Sequence, residues 1–384
     1  MKTAIWLYLF LFVAFFDLHA QYPILTPFAL SLGAAPSFIG LMMGLYSITH
    51  LPGNLIAGYS VDRYGSRLFI VCSLLLAGVV LLLQAQVSNP WQLLVLRSIS
   101  GFVLAFLSPA CMAMLAKMAR NQLEQGKLMA GNGVVHNLAS VVSPAAGAFL
   151  VAQIGFTHAF YLLGWILIVV SLCAMLFLHN DKDAPDNSAA VVPDSSAAAA
   201  GVETTVPWLI YTLPVAMACA QGILSFELPL MAFTSDALMT TGLLFSLVSF
   251  GSLITLSMFF LNRYSPYYRS LLGAICLALT YFLMAAHSEL PLAIMLLLLG
   301  MCKGVIFPAL SSLLIELSGG KRYGRTFSIL SIAFSIGAFL GPLLAGQLRD
   351  SISPYFIAFI ALMLSVMILP FHRTGSASAR THFT

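Results

Sequence analysis

The chain has 384 residues, of which 60% are apolar and only 8% charged, with a formal net charge of +4. Soluble domains carry about 25% charged residues, so a water-soluble fold of this length is excluded. The small positive charge implies no nucleic-acid partner, because membrane topology accounts for where the basic residues fall.

Twelve apolar runs of about twenty residues follow one another, each long enough to cross a hydrocarbon core of about 30 Å as a helix. They are expected at 3–22, 37–59, 68–87, 91–117, 129–152, 158–178, 208–232, 240–261, 268–287, 291–316, 325–347 and 354–371. The runs are continuous rather than alternating, which favours helices over a barrel. The first run follows Lys2 and has the look of a leader peptide, but its removal would leave an odd number of spans. It is therefore expected to be retained.

Between runs 2 and 3 stands Gly58-Tyr59-Ser60-Val61-Asp62-Arg63-Tyr64-Gly65-Ser66-Arg67. Gly58 lets two helices approach and Gly65 permits a tight turn. Asp62, at a helix end, can pair with cations or a neighbouring helix N-terminus. Run 4 carries Arg97-Ser98-Ile99-Ser100-Gly101-Phe102-Val103-Leu104-Ala105, and run 5 carries Ser143-Pro144-Ala145-Ala146-Gly147. Residues 179–206, rich in Ala, Ser, Asp and Pro, cannot bury a core and read as a flexible linker. Run 11 contains Gly341-Pro342-Leu343-Leu344-Ala345-Gly346, a proline and glycines suited to bending and close packing. The chain from His372 reads as a tail.

The polar phrases recur. Val61-Asp62-Arg63-Tyr64 returns as Leu261-Asn262-Arg263-Tyr264, 200 positions on. Pro109-Ala110 returns as Pro308-Ala309, 199 on, and both Gly126-Lys127 and Ser143-Pro144 return 198 on, as Gly324-Arg325 and Gly341-Pro342. A duplicated apolar chain is the mark of a secondary transporter built from two related bundles. The halves are expected at 1–178 and 207–371, joined by the linker at 179–206 and followed by a tail at 372–384. The second copy replaces the acid by Asn262 and lacks a glycine after Tyr264, so an electrostatic latch would be stronger in the first half.

These residues resemble the major facilitator superfamily over essentially the whole chain. Gly58 to Arg67 is similar to its G-x-x-x-D-R-x-G-x-R signature, and Arg97 to Ala105 to the R-x-x-x-G-x-x-x-A pattern of proton-coupled facilitators. Pro144 and Gly147 resemble a degraded G-P-x-x-G antiporter motif, while Gly341, Pro342 and Gly346 keep the glycine-proline core. Leu224-Ser225-Phe226-Glu227 resembles the acidic site of bacterial multidrug exporters. The resemblance implies an all-α membrane protein, with twelve transmembrane helices in two pseudo-symmetric six-helix bundles. It also implies that runs 1, 4, 7 and 10 line a central cavity and that Gly58, Asp62, Arg63, Gly65 and Arg67 form an inner gate.

Four ionisable residues stand inside apolar spans: Asp17, Arg97, Glu227 and Lys303, on runs 1, 4, 7 and 10. A charge at bilayer depth costs at least about 2.5–3.5 kcal/mol, so such residues face partners or a wet cavity. At about 1.5 Å per residue, Asp17 lies roughly 21 Å from one end of its run and Arg97 roughly 9 Å from the other, at matching depths. Asp17 and Glu227 are the expected proton-responsive acids, and Arg97 and Lys303 their counter-charges or contacts for an anionic group. The plain alternative is that the four neutralise one another and lock the bundles together. His19 lies near Asp17 in sequence but on a different face of the helix, and His50 and His136 read as packed polar residues. Asn54, Asn132, Asn137 and Gln221 are candidate cavity donors that nothing ranks. The six cysteines and eight histidines have no metal-ligand spacing, so neither metal nor cofactor is expected.

Basic residues gather in alternate loops and leave only Arg349 opposite, which places both termini in the cytoplasm by the positive-inside rule. The expectation is a monomeric, inner-membrane, proton-coupled exporter of small amphipathic compounds. Two rivals stand beside it: a carrier of an organic anion or glycolipid held by Arg97 and Lys303, and a non-transporting membrane sensor or scaffold. An enzyme is least supported, since no nucleophile-base pair or metal cluster is visible.

Overall fold

With little water at bilayer depth, backbone groups must be satisfied within each segment, and the chain answers with helices. The computed structural model describes residues 2–119, 122–178, 207–230, 235–317 and 323–369. The linker expected at 179–206 and the tail expected at 372–384 lie outside the described residues.

The first half contains α1 (Lys2–Ser31), α2 (Pro36–Tyr64), α3 (Ser66–Gln84), α4 (Pro90–Leu104), α5 (Leu107–Met118) and α6 (Gln122–Phe177). The second contains α7 (Thr212–Leu230), α8 (Ser235–Leu256), α9 (Pro266–Ala285), α10 (Leu292–Leu317), α11 (Tyr323–Leu348) and α12 (Pro354–Ile368). Pro36, Pro90, Pro266 and Pro354 each open a helix, where a missing N–H costs nothing. Asn89 adds a cap to α4, its side-chain oxygen accepting from the Trp91 N–H at 2.9 Å.

Three elements differ from expectation. The first helix continues past residue 22 to Ser31 with Pro23 and Pro27 inside it, because neighbouring helices make prolines tolerable within a membrane. The fourth span divides into α4 and α5 just before Pro109, whose ring nitrogen cannot bond the carbonyl one turn back. The fifth and sixth spans are the two arms of α6, and the loop expected at 153–157 is a single hinge at Gly155, with φ 79° and ψ 168°. Glycine alone takes that conformation without steric cost.

Among the described residues, nine stretches are long and apolar enough to cross a membrane, and Lys127–Phe177 bends to cross twice. With α2 and the shorter α12 they make twelve transmembrane helices. The packing repeats in the two halves. The first arm of α6 lies on α1 as α11 lies on α7. Helix α4 lies on α2 as α10 lies on α8, and the second arm of α6 lies on α3 as α12 lies on α9. The fold is an all-α membrane protein of two pseudo-symmetric six-helix bundles.

Because the helices alternate in direction, the start of α1, the turn at 62–67 and the starts of α7 and α11 share one face, called the basic face here. The hinge at Gly155 and the turn at 349–353 lie on the far face. The halves meet mainly where α2 crosses α11 and α6 crosses α8. Both crossings are tightest toward the far face. A side chain added at Gly40 would strike the backbone of Pro342, whose carbonyl carbon lies 3.0 Å from the Cβ position, and the Gly346 Cα at 3.3 Å. One added at Gly346 would lie 2.8 Å from the Pro36 carbonyl oxygen, and one at Gly242 would lie 2.6 Å from that of Pro144. The Ala145 N–H, next to Pro144, donates to Ser246 Oγ across the same seam at 3.2 Å.

Candidate functional site

Toward the basic face the halves separate around a cavity of about 510 Å³. Leu11, Phe15 and Leu18 of α1, Tyr46, His50 and Asn54 of α2, and Leu107 and Ser108 of α5 form its first-half wall. Ser328, Ser331 and Ser335 of α11 face them from the second half. The serines stand at i, i+3 and i+7, one stripe of a helix. That spacing was available in the sequence, where these residues went unremarked.

Asp17 and Arg97 meet behind this wall through an intermediary that sequence reasoning missed. Gln21, one turn beyond Asp17 on α1, donates from Nε2 to Asp17 Oδ1 at 2.8 Å. Its Oε1 accepts from Arg97 Nη1. The Arg97 guanidinium lies over the Tyr46 ring, 4.5 Å from its centroid. All three polar side chains are buried, so the relay is shut off from lipid. Tyr46 also lines the cavity, so its ring stands between the cavity and the Arg97 end of the relay. The i, i+4 spacing of Asp17 and Gln21 is the signal that would have found the bridge.

Lys303 stands apart from that relay. Its ammonium donates to Gln221 Oε1 of α7, and Gln221 Nε2 donates to Ser225 Oγ at 3.3 Å. Across the halves from Lys303 stand His19 and His136, both within its electrostatic reach. Their rings contact each other edge to face, with centroids 5.2 Å apart.

Glu227 is elsewhere again, and here the expected convergence of four charges needs correcting. Its carboxylate pairs with Arg349 at 3.3 Å, rather than with Arg97 or Lys303. Depth explains the separation. Glu227 lies three residues before the end of α7, about 5 Å from the far face, whereas Lys303 is eleven residues into α10, about 16 Å deep. Arg349, read from sequence as the one basic residue of the far loops, is the counter-ion. Glu227 Oε2 and the Tyr355 hydroxyl of α12 are buried without a hydrogen-bond partner among the described residues, and Tyr355 is within electrostatic reach of Glu227.

At the basic face, Gly65 is the one residue between α2 and α3, at φ 96° and ψ 147°. Arg67 Nη2 donates to the Met175 carbonyl at 2.6 Å, tying this turn to the end of α6, where a cation suits the helix dipole. Arg63 Nη1 donates to the Tyr59 hydroxyl at 3.0 Å and covers the Tyr64 ring. The expected pairing of Asp62 and close approach at Gly58 fall on side chains outside the described residues, as does that of Asn262.

The bend residues lie along packing lines. Pro144 lies within α6 where it meets α8, and Gly147 rests on Ala20 of α1, whose carbonyl oxygen is 2.7 Å from its Cβ position. Gly341 abuts the Cys219 backbone of α7, while Pro342 and Gly346 abut α2. Each motif therefore touches more than one neighbouring helix.

Comparison with known proteins agrees with this architecture. The chain matches the Major Facilitator Superfamily over residues 7–290 and 270–381. It is 21% identical over 356 residues to the quinolone resistance protein NorA of Staphylococcus aureus strain MSSA476, covering 90% of this chain and 89% of that protein. It is 24% identical over 362 residues to the multidrug resistance protein MdtG of Salmonella arizonae, covering 91% and 88%. Its fold superposes on the crystal structure of a bacterial homologue of the human lysosomal transporter Spinster, in an inward-facing and occupied conformation, with a TM-score of 0.74. The identity there is 15%, and the match covers 96% of this chain and 94% of the other. With two matched bundles, a seam between them and a cavity opening along it, the chain belongs to the Major Facilitator Superfamily and is a multi-pass membrane transporter.

Proposed function

We propose that the protein exports small amphipathic compounds across the inner membrane in exchange for protons. The observation that carries this reading is the buried Asp17–Gln21–Arg97 relay, with the Tyr46 ring between its Arg97 end and the cavity. A carboxylate at such depth holds its charge only while Arg97 and Gln21 support it. Movement of α1 against α4 alters that support, so Asp17 takes up a proton on one side and gives it up on the other. Arg97 keeps its own charge throughout.

Glu227 is the second proton-responsive acid in this reading, acting near the far face. Its bond to Arg349 braces the corner of α7 and α11, which adjoins α1 and α2. A proton arriving there weakens the pair and eases the parting of the far-side seam once Asp17 has switched, so Glu227 sets the rate of opening rather than which face is open. The resistance proteins at 21% and 24% identity support export as the direction. The basic face is cytoplasmic by the positive-inside rule, and the Gly58–Arg67 segment is its gate. The cavity then opens inward, where an exporter loads. Its wall mixes leucine, phenylalanine and serine, which suits a solute with both an apolar body and polar groups.

Proteoliposomes loaded with an amphipathic dye test the reading. An imposed proton gradient should drive dye uphill, and a protonophore should collapse the movement to passive leak. Dye transport that ignores the protonophore would contradict proton coupling.

A further inference from the structure

Lys303, His19, His136 and Gln221 come from four helices and from both halves, and the mechanism above uses none of them. His19 is nine-tenths buried, yet its Nε2 has no hydrogen-bond partner. The His136 side chain is exposed and that of Lys303 partly so. Among the described residues no carboxylate lies against Lys303. Its ammonium has three N–H donors, of which Gln221 takes one. Phe15, which lines the inward cavity, packs on His136 with ring centroids 4.7 Å apart, so the cluster adjoins the apolar wall.

We propose that this cluster is the recognition site for an anionic group, a carboxylate, sulfonate or phosphate, on the exported amphipath. An ammonium at bilayer depth with no carboxylate beside it among the described residues favours an anion over a metal ion or cationic drug. Two imidazoles beside it supply further N–H donors of the kind an oxyanion accepts. The apolar body of the solute then lies along Phe15 and Leu18. Arg97 does not serve this purpose, since it is buried behind Tyr46, which covers one face of its guanidinium, and Asp17, bridged to it by Gln21, already stands as its counter-charge. Because the donors are divided between the halves, an anion bound here joins them. It holds α1 and α6 to α7 and α10 until they rearrange, as a substrate must in alternating access. This assignment rests on the export reading for the solute's role and deepens it by naming the solute's charge.

The test is equilibrium binding to the full-length protein in phosphatidylcholine nanodiscs, by calorimetry, with no gradient present. The probes are naphthyl compounds ending in carboxylate, sulfonate or trimethylammonium. The two anions should bind at least about ten-fold more tightly than the cation. Lys303→Gln should remove that preference, weakening the two anions at least about ten-fold so that the three probes bind alike. Lys303→Arg should keep the preference, which shows that charge rather than folding is read, and His136→Gln should weaken the anions alone. Equal binding of the three probes would overturn the proposal. So would binding of none, or a preference that survives Lys303→Gln. Since no proton movement enters the measurement, failure of proton-driven export would leave an anion preference visible, and the two outcomes are distinguishable.

Discussion

Asp17→Asn is expected to abolish uphill export while leaving downhill exchange intact. One charge moving through 100 mV carries about 2.3 kcal/mol, which at about 1.4 kcal/mol per decade sustains roughly a forty-fold gradient. The variant should lose that whole factor and equilibrate its substrate. The side chain is nearly isosteric, and its amide oxygen can still accept from Gln21, which now sits 2.8 Å from Asp17. Packing of α1 should therefore survive, and the variant should purify as a folded protein. What it cannot do is alternate between charged and neutral forms beside Arg97. Glu227→Gln serves as the comparison. Its site is near the far face and its pair is with Arg349, so this change should slow transport several-fold and leave accumulation in place. A gradient maintained by Asp17→Asn and lost in Glu227→Gln would move the coupling to the far-face acid.

Gly40→Val is the second change with a large expected effect. The new side chain meets backbone at Pro342 and Gly346, and backbone cannot swing aside as a flexible side chain does. Overpacking of this kind costs about 1–3 kcal/mol, which alters the ratio of far-closed to far-open states by roughly ten- to a hundred-fold. The far seam should therefore spend most of its time parted, and export should fall by at least about ten-fold. Gly133→Ala is the matched control. That glycine lies on α6 with nothing within 4 Å of its Cβ position, and its replacement should leave transport unchanged. Equal losses in both variants would mean that Gly40 matters for folding rather than for closure.

Much of this architecture was legible from the residues. Continuous apolar runs announce helices, and repetition of the Tyr64 phrase at Tyr264 and of Pro144 at Pro342 announces two bundles. What periodicity could not show is where proline is tolerated. Pro23 and Pro27 do not end α1, while Pro109 parts α4 from α5, because neighbouring helices decide which broken backbone bonds are satisfied. At the candidate site, the charges were visible and their partners were not. Helix numbering alone suggested that Asp17, Arg97, Glu227 and Lys303 share one chamber. Depth along each helix, and the intermediaries Gln21, Gln221 and Arg349, divide them into three groups. Uncharged glutamines carry no hydropathy signal that separates a relay from a lipid-shielded packing residue. His19 and His136 were underrated for the same reason, since their proximity to Lys303 depends on how the two halves are juxtaposed.

Distances between spin labels on the two faces test most directly the claim that one acid switches access between them. With the six native cysteines replaced, one pair is placed at Tyr64 and Tyr264 on the basic face and another at Ser88 and Ser351 on the far face, all exposed positions. On acidification the basic-face distance should shorten as the far-face distance lengthens, and Asp17→Asn should hold one fixed distribution at every pH. Two distances that fail to respond, that change in the same sense, or that still respond in Asp17→Asn would contradict the account.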